Sequence, residues 1–156
     1  MCIRDSFLFG LLGSAQGIGA VLAVPLVTGY VNFMKPSVQQ LIATVGYGFA
    51  VMIFALAPSY TVAFCSLGIL GIMHLISASN LNSVVQLQVD EEMRGRVMAI
   101  YLVGVLGPAP FAGLAMGWLV SAFGPRLVVA LSGSILAFLA VVLWFRGKFS
   151  DLNSTT

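Results

Sequence analysis

Long apolar runs without charge dominate the chain, and each is bounded by charged residues, proline or turn residues. Apolar and polar residues do not alternate within these runs, so the pattern is not that of strands in a membrane barrel. A bilayer core about 30 Å thick requires about 20 helical residues to cross it, and each run is long enough. The pattern predicts an all-α membrane protein with five transmembrane helices, at about residues 7–31, 38–57, 60–85, 97–123 and 127–145.

The composition indicates that lipid is the solvent of these helices. Hydrophobic residues make up 60% of the 156 residues and charged residues only 8%, and the mean hydropathy is +1.05. Because so few charges cannot cover the surface of a water-soluble domain of this size, that class is excluded. The net charge of +2, without a basic cluster, predicts no nucleic-acid partner. The partner that the composition does predict is the lipid bilayer.

The residue pattern does not point to an enzyme or a metal centre. The chain has one histidine and two cysteines, Cys2 and Cys65, without carboxylates at the spacing of a metal site. No nucleophile, base and orienting group converge along the sequence. We therefore predict no enzyme activity, no metal and no cofactor.

A stripe of small residues runs along the first span. Gly10, Gly13, Gly17 and Ala20 lie within a narrow arc when residues are placed about 100° apart. Small residues let the backbones of membrane helices approach closely. The stripe therefore predicts a contact with another helix.

The fourth span combines small residues with two prolines. Gly113 and Gly117 form a small-xxx-small pair, and Gly107 lies on nearly the opposite face, so we expect helices on both sides. Pro108 and Pro110 lack a backbone N–H, which predicts a kink or an opened turn near the middle of the span. Packing alone accounts for these residues, and a flexing point used in gating is the alternative.

His74 is the only ionisable side chain deep within any predicted span, and intramembrane ionisable residues are functional candidates. Ser77 shares the helical face of His74, and Gln16 and Asn80 are further polar residues within spans. These four residues are candidates for a cavity or a proton-binding site. The alternative is structural: each polar side chain hydrogen bonds to a neighbouring helix.

A hydrophilic segment, residues 86–96, precedes the fourth span. Asp90 and Glu92 suit the positive N-terminal end of the helix that follows, and they lie four residues before Arg94 and Arg96. This pattern predicts a capped, solvated helix start at the membrane surface.

The same segment carries a family resemblance. Residues 85–101 read Val-Gln-Leu-Gln-Val-Asp-Glu-Glu-Met-Arg-Gly-Arg-Val-Met-Ala-Ile-Tyr, and Gly107-Pro108-Ala109-Pro110 and the Gly113/Gly117 pair follow. With the glycine-rich first span, they resemble the C-terminal half of a major facilitator superfamily transporter, closest to the branch that includes siderophore and drug exporters. The five spans then resemble helices eight to twelve of a twelve-helix protein.

The resemblance implies a fragment of a secondary active transporter that exports an unidentified small molecule by alternating access. Its protein partner would be the missing N-terminal half. Residues 7–149 would form a partial C-terminal transmembrane domain, residues 1–6 a non-native leader and residues 150–156 a polar cytoplasmic tail. The resemblance further implies an interior-side clamp between the two halves, formed by Asp90, Glu92, Arg94, Gly95 and Arg96.

The distribution of lysine and arginine predicts the orientation. With five spans the two ends of the chain face opposite sides of the membrane. The residues on the same side as the C-terminal tail are Lys35, Arg94, Arg96, Arg146 and Lys148. The other side holds only Arg4 and Arg126. Because cytoplasmic loops are enriched in lysine and arginine, we expect a cytoplasmic C-terminus. The family resemblance implies that the membrane is a bacterial inner membrane.

A different class of function is also compatible with five spans. The chain could be a complete small membrane protein that scaffolds or assembles with other subunits and transports nothing. Additional apolar spans encoded in frame upstream would favour the transporter fragment, whereas an upstream stop codon with a ribosome-binding site would favour the scaffold.

Overall fold

Helices form almost all of the part of the chain that the structure describes, which is residues 2–29 and 34–146, with side chains from Gly10 onward. This computed structural model places them in chain order as α1 (Cys2–Gly29), α2 (Pro36–Leu56), α3 (Tyr60–Leu87), α4 (Arg94–Leu106), α5 (Ala109–Phe123) and α6 (Pro125–Phe145).

The helices provide five segments long and apolar enough to cross a membrane, which confirms the predicted fold class. Helices α4 and α5 together make one of the five, Arg94–Phe123. Helix α1 begins at Cys2, so residues 2–6 continue the first span as helix, and their assignment as a leader stays a prediction. Lys148 and the predicted tail, residues 150–156, lie outside the described residues.

Proline, serine and glycine residues lie at the turns that separate the helices. Pro36 opens α2, where its missing N–H would have no partner in any case. The Ser59 side chain caps α3 by accepting a hydrogen bond from the Val62 amide at 3.4 Å. Gly124 has φ +84°, a left-handed conformation that glycine adopts without steric cost, and this residue turns the chain from α5 into α6.

The packing order differs from the chain order. Helix α3 lies between α1 and α2, and α2 also packs along α6. Helices α4 and α5 touch this row only lightly, through α3 and α6, and none of their residues is buried in the described part of the chain. The fourth span therefore leaves its faces free for other partners.

Small residues form most of the buried core, as expected where lipid gives apolar side chains no reason to cluster. Alanines at 15, 23, 43, 50 and 140 are among the most buried residues, whereas many large apolar side chains are exposed. Glycines bring the backbones together. A Cβ atom on Gly48 would lie 2.8 Å from the Gly133 carbonyl oxygen of α6, and a Cβ atom on Gly71 would overlap the Gln16 carbonyl of α1.

Of the predicted stripe on α1, only Ala20 lies near α3, where an added Cβ atom on Gly71 would be 3.1 Å from the Ala20 nitrogen. Buried Ala15, Gly19 and Ala23 make the contact, and a Cβ atom on Gly19 would overlap the Gly68 backbone of α3. Gly10, Gly13 and Gly17 are exposed, and added Cβ atoms there would meet nothing within 4 Å. A small-residue arc shows where close approach is allowed, not which neighbour uses it, so a contact through Gly10, Gly13 and Gly17 stays a prediction.

The fourth span is interrupted at Gly107 and Pro108, between α4 and α5. Both residues keep right-handed helical backbone angles, so the ladder of hydrogen bonds is broken without a reversal of the chain. Pro108 and Pro110 cannot donate to the preceding turn, which explains the break. Gly113 and Gly117 lie beyond it, exposed, with nothing within 4 Å of an added Cβ atom.

Candidate functional site

A polar seam joins α2 to α3, and its centre is the side-chain amide of Gln40. We use the name polar seam for Gln40, Thr44, Ser77 and Asn80. The Gln40 Nε2 atom donates to Ser77 Oγ at 2.8 Å and to Thr44 Oγ1 at 3.4 Å, and Gln40 Oε1 accepts from Asn80 Nδ2 at 3.1 Å. The amide of Gln40 therefore uses both its donors and its acceptor within the seam.

Asn80 ties the seam to the start of α2. Its Nδ2 atom also donates to the Pro36 carbonyl oxygen at 2.9 Å. Gln40 and Asn80 are 8% and 5% exposed, and no buried side-chain nitrogen or oxygen in the described residues lacks a partner. Since an unsatisfied amide is costly inside a membrane, these bonds hold α2 and α3 antiparallel in one register.

An open cleft of about 250 Å³ adjoins the seam towards the middle of the helices. Its lining residues are Gln40, Ala43, Thr44, Tyr47, His74, Ser77 and Leu136. The His74 side chain is exposed to this cleft, and its ring lies 6.1 Å from the Tyr47 ring, centre to centre, with the planes tilted by 45°. The wall offers neutral hydrogen-bonding groups and one imidazole.

The other large grooves have a different character. One, between α2 and α6, is lined by residues such as Leu41, Val141 and Trp144, and another, between α5 and α6, by residues such as Met116, Leu131 and Ile135. These walls are almost entirely apolar, as expected of surfaces that face acyl chains. Of these three grooves, the cleft beside the polar seam is the one whose wall carries polar and ionisable side chains.

The structure brings together three of the four polar candidates from the sequence. His74 and Ser77 line the cleft, and Asn80 reaches Gln40 beside it. Gln16 does not join them, because its side chain is exposed on α1. His74 makes a ring contact with Tyr47 where a hydrogen bond to a neighbouring helix was the structural alternative.

Sequence reasoning missed the residues that α2 contributes. Gln40, Thr44 and Tyr47 lie at i, i+4 and i+7, which places them on one helical face. This spacing is a signal that the sequence contains. Only the packing of α2 against α3, however, shows that this face meets His74, Ser77 and Asn80.

The charged segment before the fourth span is a turn followed by a helix start. The Met93 amide donates to the Asp90 carbonyl oxygen at 3.0 Å, and α4 begins only at Arg94. Asp90 and Glu92 therefore precede the helix, and the helical i, i+4 geometry with Arg94 and Arg96 is not formed. All four side chains are exposed, and Gly95 has open space around it.

Within residues 2–29 and 34–146, no group of three His, Cys, Asp or Glu side chains is placed to hold a metal ion.

The chain is similar to one protein family and to several known transporters. The profile of a family described as transmembrane secretion effector matches residues 3–155. The chain is 29% identical over 135 residues to the Enterobactin exporter EntS of Salmonella choleraesuis, and 28% and 27% identical over the same length to the proteins of that name from Salmonella typhimurium and Citrobacter koseri. These alignments cover 86% of this chain but only 32% of each relative. No solved structure matches the chain.

Proposed function

The chain belongs to the transmembrane secretion effector family of major facilitator transporters, and from that premise we propose that it forms part of a secondary transporter that exports a small molecule. The match over residues 3–155 carries the proposal, because those residues contain all five candidate spans. The family consists of transporters and not of enzymes. The chain is accordingly an integral membrane protein.

The rest of the transporter is proposed to lie in additional helices. The chain spans about a third of the length of the curated relatives that it matches. Transporters of this architecture bind substrate near the midplane of the bilayer, between two repeated halves. We assign the five spans to helices eight to twelve, the C-terminal half, on the resemblance of residues 85–101 and of the fourth span. The exposed faces of α4 and α5 support this assignment, since they are free to meet missing helices.

The charged turn before α4 is proposed to act as a clamp between the two halves on the cytoplasmic side. Asp90, Glu92, Arg94 and Arg96 are exposed, and their charges are not paired with one another in the structure. Gly95 leaves room for a second helix to approach. Because exposed ion pairs contribute only about 0 to 1 kcal/mol each, such a clamp would bias the alternation between two states without locking either one.

The orientation is part of the proposal. Lys35, Arg94, Arg96 and Arg146 lie at the helix ends that share a side with the C-terminus, which favours a cytoplasmic C-terminus in a bacterial inner membrane. The contact between Asn80 and Pro36 supports the pairing of these ends, because it places the start of α2 beside the end of α3.

Enterobactin is the first substrate to test, because the relatives are named as its exporters. Identity of 27 to 29% leaves room for a different small molecule. The polar seam and the cleft beside it are proposed to contribute to the path or to its proton coupling through His74. Since no carboxylate lies within the five candidate spans, the imidazole of His74 is the candidate proton carrier there.

The test begins with the DNA upstream of this reading frame and continues with transport. If further apolar spans are encoded in frame, the whole frame is expressed in a strain that lacks its own enterobactin exporter, and secreted and retained siderophore are measured. We expect secretion to be restored, and Asp90→Asn and Arg96→Gln each to reduce it several-fold.

The same frame truncated before α4 serves as the control, and it should secrete no more than empty vector. A panel of other small molecules is measured in parallel, so that a different substrate is distinguished from absence of transport. An upstream stop codon with a ribosome-binding site, together with a stable chain that transports nothing on the panel, would contradict the proposal and favour the five-span scaffold.

A further inference from the structure

We propose that the cleft between α2 and α3 binds a small organic monoanion together with a proton on His74. The cleft measures about 250 Å³, which is below the usual range of sites for drug-sized ligands and so favours a small molecule. This inference concerns binding by the chain itself. It goes beyond the transport proposal and can fail while that proposal stands.

The lining residues leave His74 as the one source of positive charge. Helix α2 contributes Gln40, Ala43, Thr44 and Tyr47, none of which carries a positive charge, and α6 contributes Leu136. Helix α1 packs on α3 and has no ionisable residue from Gly10 to Gly29, while Arg94 and Arg96 lie beyond the end of α3, at the start of α4. No carboxylate is therefore available within the cleft to neutralise a protonated imidazole.

An anion supplies the missing counter-charge. A lone imidazolium inside a membrane is unfavourable, and so is a lone carboxylate, because neither is solvated there as it is in water. When His74 takes a proton from water and the anion enters beside it, the pair is neutral overall. Each charge then stabilises the other, so proton binding and anion binding are linked.

Neighbouring groups fit this pair. The centre of the Tyr47 ring lies 6.1 Å from that of the His74 ring, near the distance at which an aromatic ring attracts a cation. Ser77 Oγ accepts from the Gln40 amide, so its own O–H can donate to an acceptor in the cleft. The bonds from Asn80 and to Thr44 hold Gln40 in place, and Gln40 thereby acts as a positioning residue for the Ser77 hydroxyl.

The experiment measures binding of radiolabelled benzoate to the purified chain in phosphatidylcholine nanodiscs, with empty nanodiscs subtracted for partition into lipid. We expect saturable binding that is at least about tenfold tighter at about pH 5.5 than at about pH 8, because one proton is taken up with each anion. His74 is the only histidine, so its modification by diethyl pyrocarbonate gives a second, site-specific signal, which benzoate should slow several-fold.

Three variants separate the contributions. H74Q keeps a polar side chain but cannot be protonated, and it should bind weakly with equal affinity at both pH values. Ser77→Ala should weaken binding by about fivefold at both pH values and keep the pH dependence, because one hydrogen bond is lost. Ser121→Ala is the matched control, since that hydroxyl is exposed on α5 and bonds only to its own helix at Trp118.

Two results would overturn the inference. One is the absence of saturable benzoate binding at either pH by a chain whose circular dichroism is helical. The other is pH dependence that survives in H74Q, which would place the linked proton on another group.

Discussion

At the scale of single residues, the side-chain amide of Gln40 makes three hydrogen bonds to other side chains. It connects both helices of the polar seam, and every one of its hydrogen bonds ends on a seam residue. Inside a membrane, interhelical hydrogen bonds contribute modestly one by one, but a saturated amide also avoids the cost of an unpaired donor. Its role is therefore best tested against a neighbouring glutamine that makes no such bonds.

Replacing Gln40 by alanine should destabilise the pairing of α2 with α3. We expect the free energy of unfolding to fall by about 1 to 2 kcal/mol, since Asn80 loses its acceptor and Ser77 its donor. The measurement is an unfolding titration from mild detergent into sodium dodecyl sulfate, followed by circular dichroism.

Gln39→Ala is the matched control for that titration. Gln39 is the adjacent residue of the same helix and is only half-buried, so its replacement should change the stability by less than about 0.5 kcal/mol. Equal losses for the two variants would show that the seam does not stabilise the fold.

At the scale of elements, glycine-mediated contacts decide which helices pack. Gly71 of α3 lies against the α1 backbone at Gln16, and Gly48 of α2 lies against Gly133 of α6. At these positions even one methyl group would meet backbone atoms, which cannot rotate away. The exposed glycines of α1 have no such neighbour.

Gly71→Ala and Gly17→Ala should therefore have opposite effects on the isolated chain. The first should lower its stability by about 1 to 3 kcal/mol, because the added methyl group forces α1 away from α3. The second should be neutral or raise stability by up to about 1 kcal/mol, because alanine favours helix over glycine and meets no atom.

The comparison uses the same detergent titration, with far-ultraviolet circular dichroism to check that helix content is unchanged. A destabilising Gly17→Ala in the chain alone would mean that the glycine stripe of α1 already contacts another helix. If Gly17→Ala instead impairs only the complete transporter, the predicted stripe meets a helix outside this chain.

At the scale of the whole molecule, several of the proposals depend on the odd number of candidate spans. Where each of the five candidate spans crosses the membrane once, the two ends of the described chain lie on opposite sides. The assignment to one half of a transporter, the cytoplasmic clamp and the direction of transport all depend on this topology. It is also a property that can be measured without knowing the substrate.

Reporter fusions should place the two termini in different compartments. We expect green fluorescent protein to fluoresce when fused to the C-terminus or after Glu92, because the lysine and arginine residues favour the cytoplasm at these two positions. We expect alkaline phosphatase to be active when fused after Gly124, on the opposite side of the membrane. Cysteine labelling near the N-terminus supplies the remaining position. Labelling of both termini from one side would contradict the five-span topology and the transporter assignment that is built on it.

The sequence by itself determined the fold class, the approximate spans and the family. Apolar runs long enough to cross a bilayer can satisfy their backbone groups only as helices or closed barrels, and the absence of alternation left helices. Proline and glycine at positions 36, 108 and 124 marked turns or breaks through local backbone chemistry, which does not depend on distant residues.

Only the tertiary structure decided which faces meet. A helix with small residues on several faces can pack through any of them, so the sequence did not distinguish the Gly10, Gly13 and Gly17 stripe from the Ala15, Gly19 and Ala23 face that α3 covers. The polar seam likewise required two helices to be placed side by side, since Gln40 and Asn80 are 40 residues apart. Local physics sets each helix, whereas the choice of neighbours depends on the fit of surfaces that are distant along the chain.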